Sequence, residues 1–396
     1  MEIEEPSRLD AFRHEARTWL SANFPPALAG RTVEIQYSGA PESPEAREWR
    51  RRVGEKGWGA PTWPTAYGGG GLSGAEARVL REEMARIGAY NPVYISLGLT
   101  MVGPTLLDYG TEEQKMRHLP AIARGETIWC LGYSEPGAGS DLASLQTRCV
   151  ADGDRFVING SKIWTSGANH ADWCGVLVRT DPSAPRHEGI SFVMMEMRQP
   201  GVETRPIEMI GGASSFCEMF FTDAVARRDD LLGPLNGGWT VGKRLLQHER
   251  ASQTGDSAAP PPGPSLPDVA RAYRPVDAEG RLADTDLRRR LTELLMHEHA
   301  HALTLARAHA ETRGSTNPSN AVSMLKASST LAAQERAELV LEIMGAQGLG
   351  WSGPGFARDE LAAVRSWLSG KAISIAGGSY EVQLNIIAKR ILGLPS

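Results

Sequence analysis

Apolar residues in the first third of the chain recur at spacings of three and four, as at Leu80, Met84 and Ile87, the period of helices that bury one face. The pattern predicts helices from Leu9 to about Ile128. A Gly- and Pro-rich stretch from Trp58 to Leu72 interrupts it and predicts a loop. From Trp129 to about Pro234 the period changes. Short runs at 155–158, 175–178 and 191–194 are separated by the turn pairs Asp152-Gly153, Asn159-Gly160 and Pro200-Gly201, which predicts a compact antiparallel β unit. Helical spacing returns after Gly238, with Leu291, Leu294 and Leu295, and later Leu339, Leu341, Ile343 and Met344. The proline-rich run 257–264 cannot stay helical and predicts a loop there. The expected fold is therefore α+β: a helical domain over 1–127, a middle antiparallel β barrel over 128–236, and a helical bundle over 237–396.

Composition narrows this picture. A chain of 396 residues is too long for one ordinary core. Its 41% hydrophobic and 22% charged residues are those of a globular protein rather than a disordered one. The net charge of −5, with no basic run, argues against nucleic acid as the main partner. No secretory signal is visible in the acidic N-terminus, and no apolar run approaches a bilayer span. The expectation is a soluble cytoplasmic protein without membrane insertion. Cys130, Cys149, Cys174 and Cys217 are dispersed without Cys-X-X-Cys spacing, which predicts reduced structural thiols.

The segment Gly132-Tyr133-Ser134-Glu135-Pro136-Gly137-Ala138-Gly139-Ser140-Asp141-Leu142-Ala143-Ser144 carries the first chemical signal. Its glycines let backbone approach a phosphate, and its hydroxyls and N–H groups can bind negative charge. The segment resembles the first signature of the acyl-CoA dehydrogenase family, in thirteen consecutive positions. Downstream, Asn159-Gly160-Ser161-Lys162-Ile163-Trp164-Thr165-Ser166-Gly167-Ala168 resembles the family strand whose Trp covers one flavin face. Upstream, Tyr109-Gly110-Thr111-Glu112-Glu113-Gln114-Lys115 and Leu119-Pro120 resemble the family's helical domain.

The resemblance implies FAD as cofactor, with Trp164 stacked on the isoalloxazine and Ser166 bonded to it. It places Leu131, Ser134, Gly139 and Ser140 along the cofactor, Ser140 at its pyrophosphate or at the CoA arm of the substrate. Glu342 and Gly345 fall on the adenine side, Ser379 by the diphosphate and Glu381 by the adenosine part. The implied substrate is an acyl-CoA or acyl-carrier-protein thioester, and the implied acceptor is an electron-transferring flavoprotein. A homotetramer or homodimer is the expected assembly, with a mixed tetramer as the other form. An oxidase of similar fold, passing electrons to oxygen, is the alternative enzymatic reading.

Dehydrogenation at a thioester needs a base for the α proton. Part of the family carries it as a Glu before a Gly-Thr pair near the C-terminus, but here that stretch reads Ile375-Ala376-Gly377-Gly378-Ser379-Tyr380-Glu381. Gly377 stands at the position, leaving its backbone N–H to meet the thioester carbonyl. Members of the isovaleryl-CoA dehydrogenase type carry the base on the first long helix of the C-terminal domain, directly before an Arg. Leu245-Leu246-Gln247-His248-Glu249-Arg250 matches that place. Val241, Leu245 and Glu249 also lie at i, i+4 and i+8, so the carboxylate continues an apolar stripe and is expected to face inward among apolar groups, with a raised pKa. Glu249 is thus the expected base, with Arg250 orienting the helix or touching substrate.

The pattern departs from the family at three places. Tyr133 stands where a small aliphatic residue is usual, the Arg-X-X-Phe segment that reaches a neighbouring subunit's FAD is absent around Pro267-Asp268-Val269-Ala270-Arg271-Ala272-Tyr273-Arg274, and Glu342 and Ala346 replace Gln and Gly of the adenine-side loop. A rival motif, His297-Glu298-His299-Ala300-His301, fits the zincin pattern of two histidines on one helix face beside a Glu. Thr304 and Arg307 stand where the metzincin Gly and third His belong. These histidines are expected to form a polar helix surface with no metal, rather than the centre of a zinc metallopeptidase.

Overall fold

The computed structural model describes residues 6–30, 42–93, 96–254, 265–311 and 321–395. The proline-rich run 257–264 lies outside them. The chain forms two compact units, one of residues 1–207 with 215–248, the other of residues 208–214 with 249–396.

The first unit begins with helices α1 (Pro6–Asn23), α2 (Pro44–Glu55), α3 (Gly74–Arg86), α4 (Gly103–Tyr109) and α5 (Glu112–Ala123). Capping boxes set two of the starts. Ser73 accepts from the Glu76 N–H at 3.2 Å while Glu76 returns a bond to the Ser73 N–H, and Thr111 and Gln114 do the same at the head of α5. Gln114 is buried and has a second task. Its Nε2 donates to the Asp229 and Leu231 carbonyls at 2.7 and 2.9 Å, pinning α5 to the end of the β region.

In the N-terminal core Phe12 and Trp19 pack edge to face with Trp58 and Phe24 with Trp49, while Trp19 and Trp49 meet tilted. The Trp58–Leu72 stretch is indeed irregular, and it is tightly folded. A Cβ on Gly69 would sit 2.2 Å from the Trp63 carbonyl oxygen, so no other residue fits there. Beside this core, the buried Glu83 of α3 accepts from Arg17 at 2.7 Å, Arg13 at 2.8 Å and Arg86 at 2.9 Å. The Arg17 hydrogen bond, helped by Arg13 and Arg86, outweighs burial and holds this carboxyl down to about 2.

Seven strands follow: β1 (Trp129–Gly132), β2 (Arg148–Asp152), β3 (Arg155–Ser166), β4 (Trp173–Arg179), β5 (Ile190–Glu196), β6 (Val202–Ile207) and β7 (Phe216–Arg227). The expected antiparallel barrel is corrected here. The strands form one mixed sheet in the order β1-β4-β2-β3-β7-β6, with β5 added on β4. Trp129 pairs with Trp173 and Cys130 with Cys174 in a parallel β1–β4 ladder. A parallel pair needs a long crossover, and the signature loop with the β2–β3 hairpin supplies it.

β4 and β5 are covered on both faces, which is why they read as nearly continuous apolar runs. Leu177, Phe192 and Met194 join the core shared with α4, α5 and the next helix, while Val176, Val178, Val193 and Met195 join a second core on the opposite face. All four cysteines belong to that second core, where they are free and buried. Burial pushes the Cys149 thiol up to about 12 and Cys130 upward as well.

Helix α6 (Gly238–Thr254) starts in the first unit, and the boundary between the units falls between His248 and Glu249. The second unit holds α7 (Leu266–Tyr273), α8 (Thr285–Glu311), α9 (Ala321–Met344), α10 (Arg358–Gly370) and α11 (Tyr380–Ile386). Leu266, Ala270, Leu287, Leu291, Leu294, Leu339 and Ile343 form its core, as the helical spacing predicts. No described helix is long and apolar enough to cross a membrane.

Candidate active site

The signature loop leaves β1 and turns back at once. Glu135 and Ala138 exchange two backbone hydrogen bonds of 3.1 and 3.0 Å, closing a tight turn around Pro136 and Gly137. A Cβ at Gly137 or Gly139 would meet nothing within 4 Å, so this stretch of backbone faces open space, and Ser140 beside it is exposed. The loop is fixed from beneath. The Ser134 carbonyl accepts from the Ile163 N–H at 2.9 Å. The buried Glu135 carboxylate accepts from the Gln146 and Thr147 N–H groups at 2.7 and 2.8 Å and from Lys162 Nζ at 2.8 Å.

Lys162 is fully withdrawn from solvent and also donates to the Tyr133 carbonyl at 3.1 Å. Burial pulls its ammonium down to about 8, with Glu135 opposing. Burial pushes Glu135 upward, yet the Lys162 charge and the hydrogen bonds bring it below the ordinary carboxylate range. Both residues lie in the quoted motifs, but sequence reasoning gave neither a role. The signal was present: Lys162 occupies an inward position in the alternation of β3.

Two residues beyond Lys162 stands Trp164. The β3–β7 register slips between Lys162 and Thr165, and Trp164 adopts φ 61°, the left-handed region that a bulky side chain rarely enters. The bulge turns the indole outward, 52% exposed, with Phe216 edge-on at 6.3 Å between ring centres. Thr165 is buried with its hydroxyl unpartnered among the described residues, and Ser166 is half-buried beside it. An outward-turned indole, an unpartnered hydroxyl and an open glycine loop fit a planar ring system with a phosphate-bearing tail. Tyr133, the atypical residue, packs edge-on to Phe192, and its hydroxyl lies 3.5 Å from the Gly242 carbonyl of α6. Leu131 is half-buried in β1.

Along α6, Val241 and Leu245 are buried and Glu249 is half-buried, the predicted stripe. Asp108 of α4 holds the preceding turn: Arg244 Nε donates to it at 2.7 Å, and His248 Nε2 lies 3.0 Å from the same oxygen. Burial lowers the His248 pKa and Asp108 resists this.

In the second unit, Gly377 has φ 67°, and a Cβ there would lie 3.7 Å from Glu249 Oε1. The helix-borne carboxylate therefore reaches the space beside Gly377. A Cβ on Gly377 would also lie 3.8 Å from Lys326 Cε. A lysine stem thus stands beside the point that Glu249 approaches. Lys326 is a third residue that sequence reasoning missed, since one Lys in a long helix carries no motif. The side chain of Arg250 lies outside the described residues.

The remaining candidates are distributed over the second unit. Ser379 caps α11 by accepting from the Val382 N–H at 3.3 Å, and Glu381 in its first turn is exposed. The Glu342 carboxylate is taken by Arg290 at 2.9 Å, and its carbonyl accepts from Arg274. Gly345 has φ 58° just past the end of α9. On α8, Glu298 is bound by Arg336 through both oxygens at 2.9 Å, and His297 lies 3.0 Å from the Ser328 hydroxyl. That Glu is engaged by a cation, and no group of three His, Cys, Asp or Glu among the described residues is placed to hold a metal ion.

In chain order the protein runs from helices through a mixed sheet, whose β3 turns an indole outward, to helices again. Residues 7–126, 130–224 and 236–392 match the N-terminal, middle and C-terminal domains of acyl-CoA dehydrogenases. The chain belongs to the acyl-CoA dehydrogenase family, which is flavin-dependent, and its reaction is acyl-CoA dehydrogenation. It is similar to acyl-CoA dehydrogenase IpdE1 of Mycobacterium tuberculosis, 37% identical over 399 residues covering 98% of each chain. A solved structure titled Tcur3481-Tcur3483 steroid ACAD has a TM-score of 0.76 and 32% identity, covering 100% of both chains. The ChsE4-ChsE5 complex from Mycobacterium tuberculosis has a TM-score of 0.72 at 30% identity, again covering 100% of both.

Proposed function

We propose that this chain converts an acyl thioester to its trans-2-enoyl thioester, with Glu249 as the base for the α proton. The observation that carries the assignment is the approach of Glu249 Oε1 to the space beside Gly377. A carboxylate from α6 takes the place that Gly377 leaves open, so one base serves where the C-terminal one is missing. The backbone at Gly377 presents an N–H donor for the thioester carbonyl, which stabilises the enolate that forms as the proton leaves.

FAD, when bound, supplies the hydride acceptor for the β carbon. Trp164 and Ser166 would hold its ring, with Leu131, Ser134, Gly139 and Ser140 along the signature side. Ser379 would lie by the diphosphate, with Glu381, Glu342 and Gly345 on the adenosine side. The Arg290 pair changes what Glu342 offers: its carboxylate arrives already neutralised.

The relatives narrow the first substrates to try. Two structural neighbours are titled steroid ACAD, and these and a third carry two names in their titles. We infer a bulky, ring-bearing acyl-CoA as substrate and a mixed tetramer as the working assembly, with an electron-transferring flavoprotein as acceptor. Purified protein should show oxidised-flavin absorption and release FAD on denaturation, and it should turn over such an acyl-CoA with a flavoprotein acceptor. A colourless protein that takes up no added FAD, alone or co-expressed with a second chain, would overturn this reading. Fast turnover with oxygen as sole acceptor would replace the dehydrogenase by an oxidase.

A further inference from the structure

Lys326 stands on α9 with its side chain half-buried. Its Nζ donates to the Ile373 carbonyl at 2.8 Å and to the Thr330 hydroxyl at 3.3 Å. Ile373 lies four residues before Gly377 on the loop that follows α10, so the first bond ties that loop to α9. The loop is tied at its other end by Gln383, whose Nε2 donates to the Gly377 carbonyl at 3.4 Å. A Cβ at Gly378 would lie 2.6 Å from Gln383 Nε2 and at φ 98°, so a side chain there would displace that amide and strain the backbone. A Cβ on Gly377 would lie 3.8 Å from the lysine stem at Cε and 3.7 Å from Glu249 Oε1, so both side chains reach the same point.

Charged groups on the neighbouring elements have other partners or face solvent. On α8, Glu298 is held by Arg336 of α9, and His297 faces Ser328. At the far end of α9, Glu342 pairs with Arg290, while Glu338 pairs with Lys371. Glu381 of α11 is exposed, and on α6 itself His248 is held by Asp108. The Arg250 side chain lies outside the described residues. Burial lowers the Lys326 pKa, and Glu249 is the charged group that opposes this.

We propose that Lys326 is a positioning residue for proton abstraction: it seats the loop that carries Gly377 and, as a cation beside Glu249, keeps that base in its carboxylate form. This rests on Glu249 being the base. A nearby opposite charge favours ionisation of a carboxyl group. A base must be ionised to accept the α proton, so the rate falls on the acid side of its pKa. Removing the cation raises that pKa and moves the acid limb of the pH profile to higher pH.

The test uses the FAD-loaded protein and a 3-thia acyl-CoA, whose α proton exchanges with solvent without net oxidation. Exchange into D2O is followed by mass across pH for wild type, Lys326→Gln, Lys326→Met, Lys326→Arg and Glu249→Gln. Lys326→Gln keeps an N–H donor for the Ile373 carbonyl while losing the charge, so it separates charge from anchoring even if Lys326→Met fails to fold. The expected result is an acid limb about one unit higher in Lys326→Gln, read as roughly tenfold slower exchange below the limb. Lys326→Arg should keep the wild-type limb. An unmoved limb in Lys326→Gln, with exchange abolished in Glu249→Gln, overturns the role of Lys326 and leaves the base in place. Wild-type exchange in Glu249→Gln overturns the base assignment itself, whatever Lys326 does.

Discussion

Lys162 Nζ lies 2.8 Å from Glu135 Oε1, and this ion pair joins the signature loop to the strand that bears Trp164 with both side chains shielded from water. Glu135 receives two further backbone N–H groups and Lys162 one further carbonyl. The charges are thus satisfied on every side, the condition under which a buried pair persists. Lys162→Met is expected to destabilise the protein by about 3–5 kcal/mol, because it leaves Glu135 buried without its cation. Combining it with Glu135→Gln should recover part of that loss. Denaturant unfolding of the single and double variants measures both, and equal loss in the two would show that the pair contributes nothing beyond packing.

Glu249→Gln should lower kcat by roughly 10²–10⁴-fold, the usual contribution of a general base, while flavin content stays at the wild-type level. Moving the carboxylate to the loop, as Glu249→Gly with Gly377→Glu, should restore a fraction of the rate. The restoration will be incomplete because φ at Gly377 is 67°, where a side chain costs ~1–2 kcal/mol. Steady-state kinetics on the double variant decides whether the two positions serve one reacting carbon.

Trp164 is half exposed, so Trp164→Ala should change the melting temperature of the flavin-free protein little while weakening FAD retention. Equilibrium dialysis of FAD against wild type and variant separates the two effects. A variant that holds FAD as tightly as wild type would remove the indole from the cofactor site.

The Glu83 carboxyl titrates at about 2 in the folded chain, well below an unfolded Glu. A depressed carboxyl stabilises the fold above the unfolded pKa and loses that contribution as pH falls through the folded one. Glu83→Gln should therefore cost most stability near neutral pH, and its deficit against wild type should shrink from about pH 4 downward. Chemical denaturation at several pH values checks the sign, and a deficit that does not depend on pH would show that the three arginines do not act through the charge.

Much of this was legible in residue order because local rules carried it. The change of period near Trp129 marks the sheet, the stripe Val241–Leu245–Glu249 turns the carboxylate inward, and the thirteen-residue segment names the family. The rest depends on partners distant in sequence. The parallel seat of β1 against β4 is set by register across the sheet, which alternation cannot reveal. The bulge at Trp164 arises from a slip against β7, outside its own segment. Arg336, 38 residues from Glu298, is what binds the Glu of the zincin-like motif. Lys326 meets the Gly377 loop only once α9 and that loop have packed.

The gathering of all four thiols in one core also makes the chain report on its own integrity. Cys130, Cys149, Cys174 and Cys217 lie on β1, β2, β4 and β7, so a maleimide reaches none of them while those strands stay together. Labelling stoichiometry would then rise as one event when the sheet opens, and partial labelling would identify which edge of it parts first.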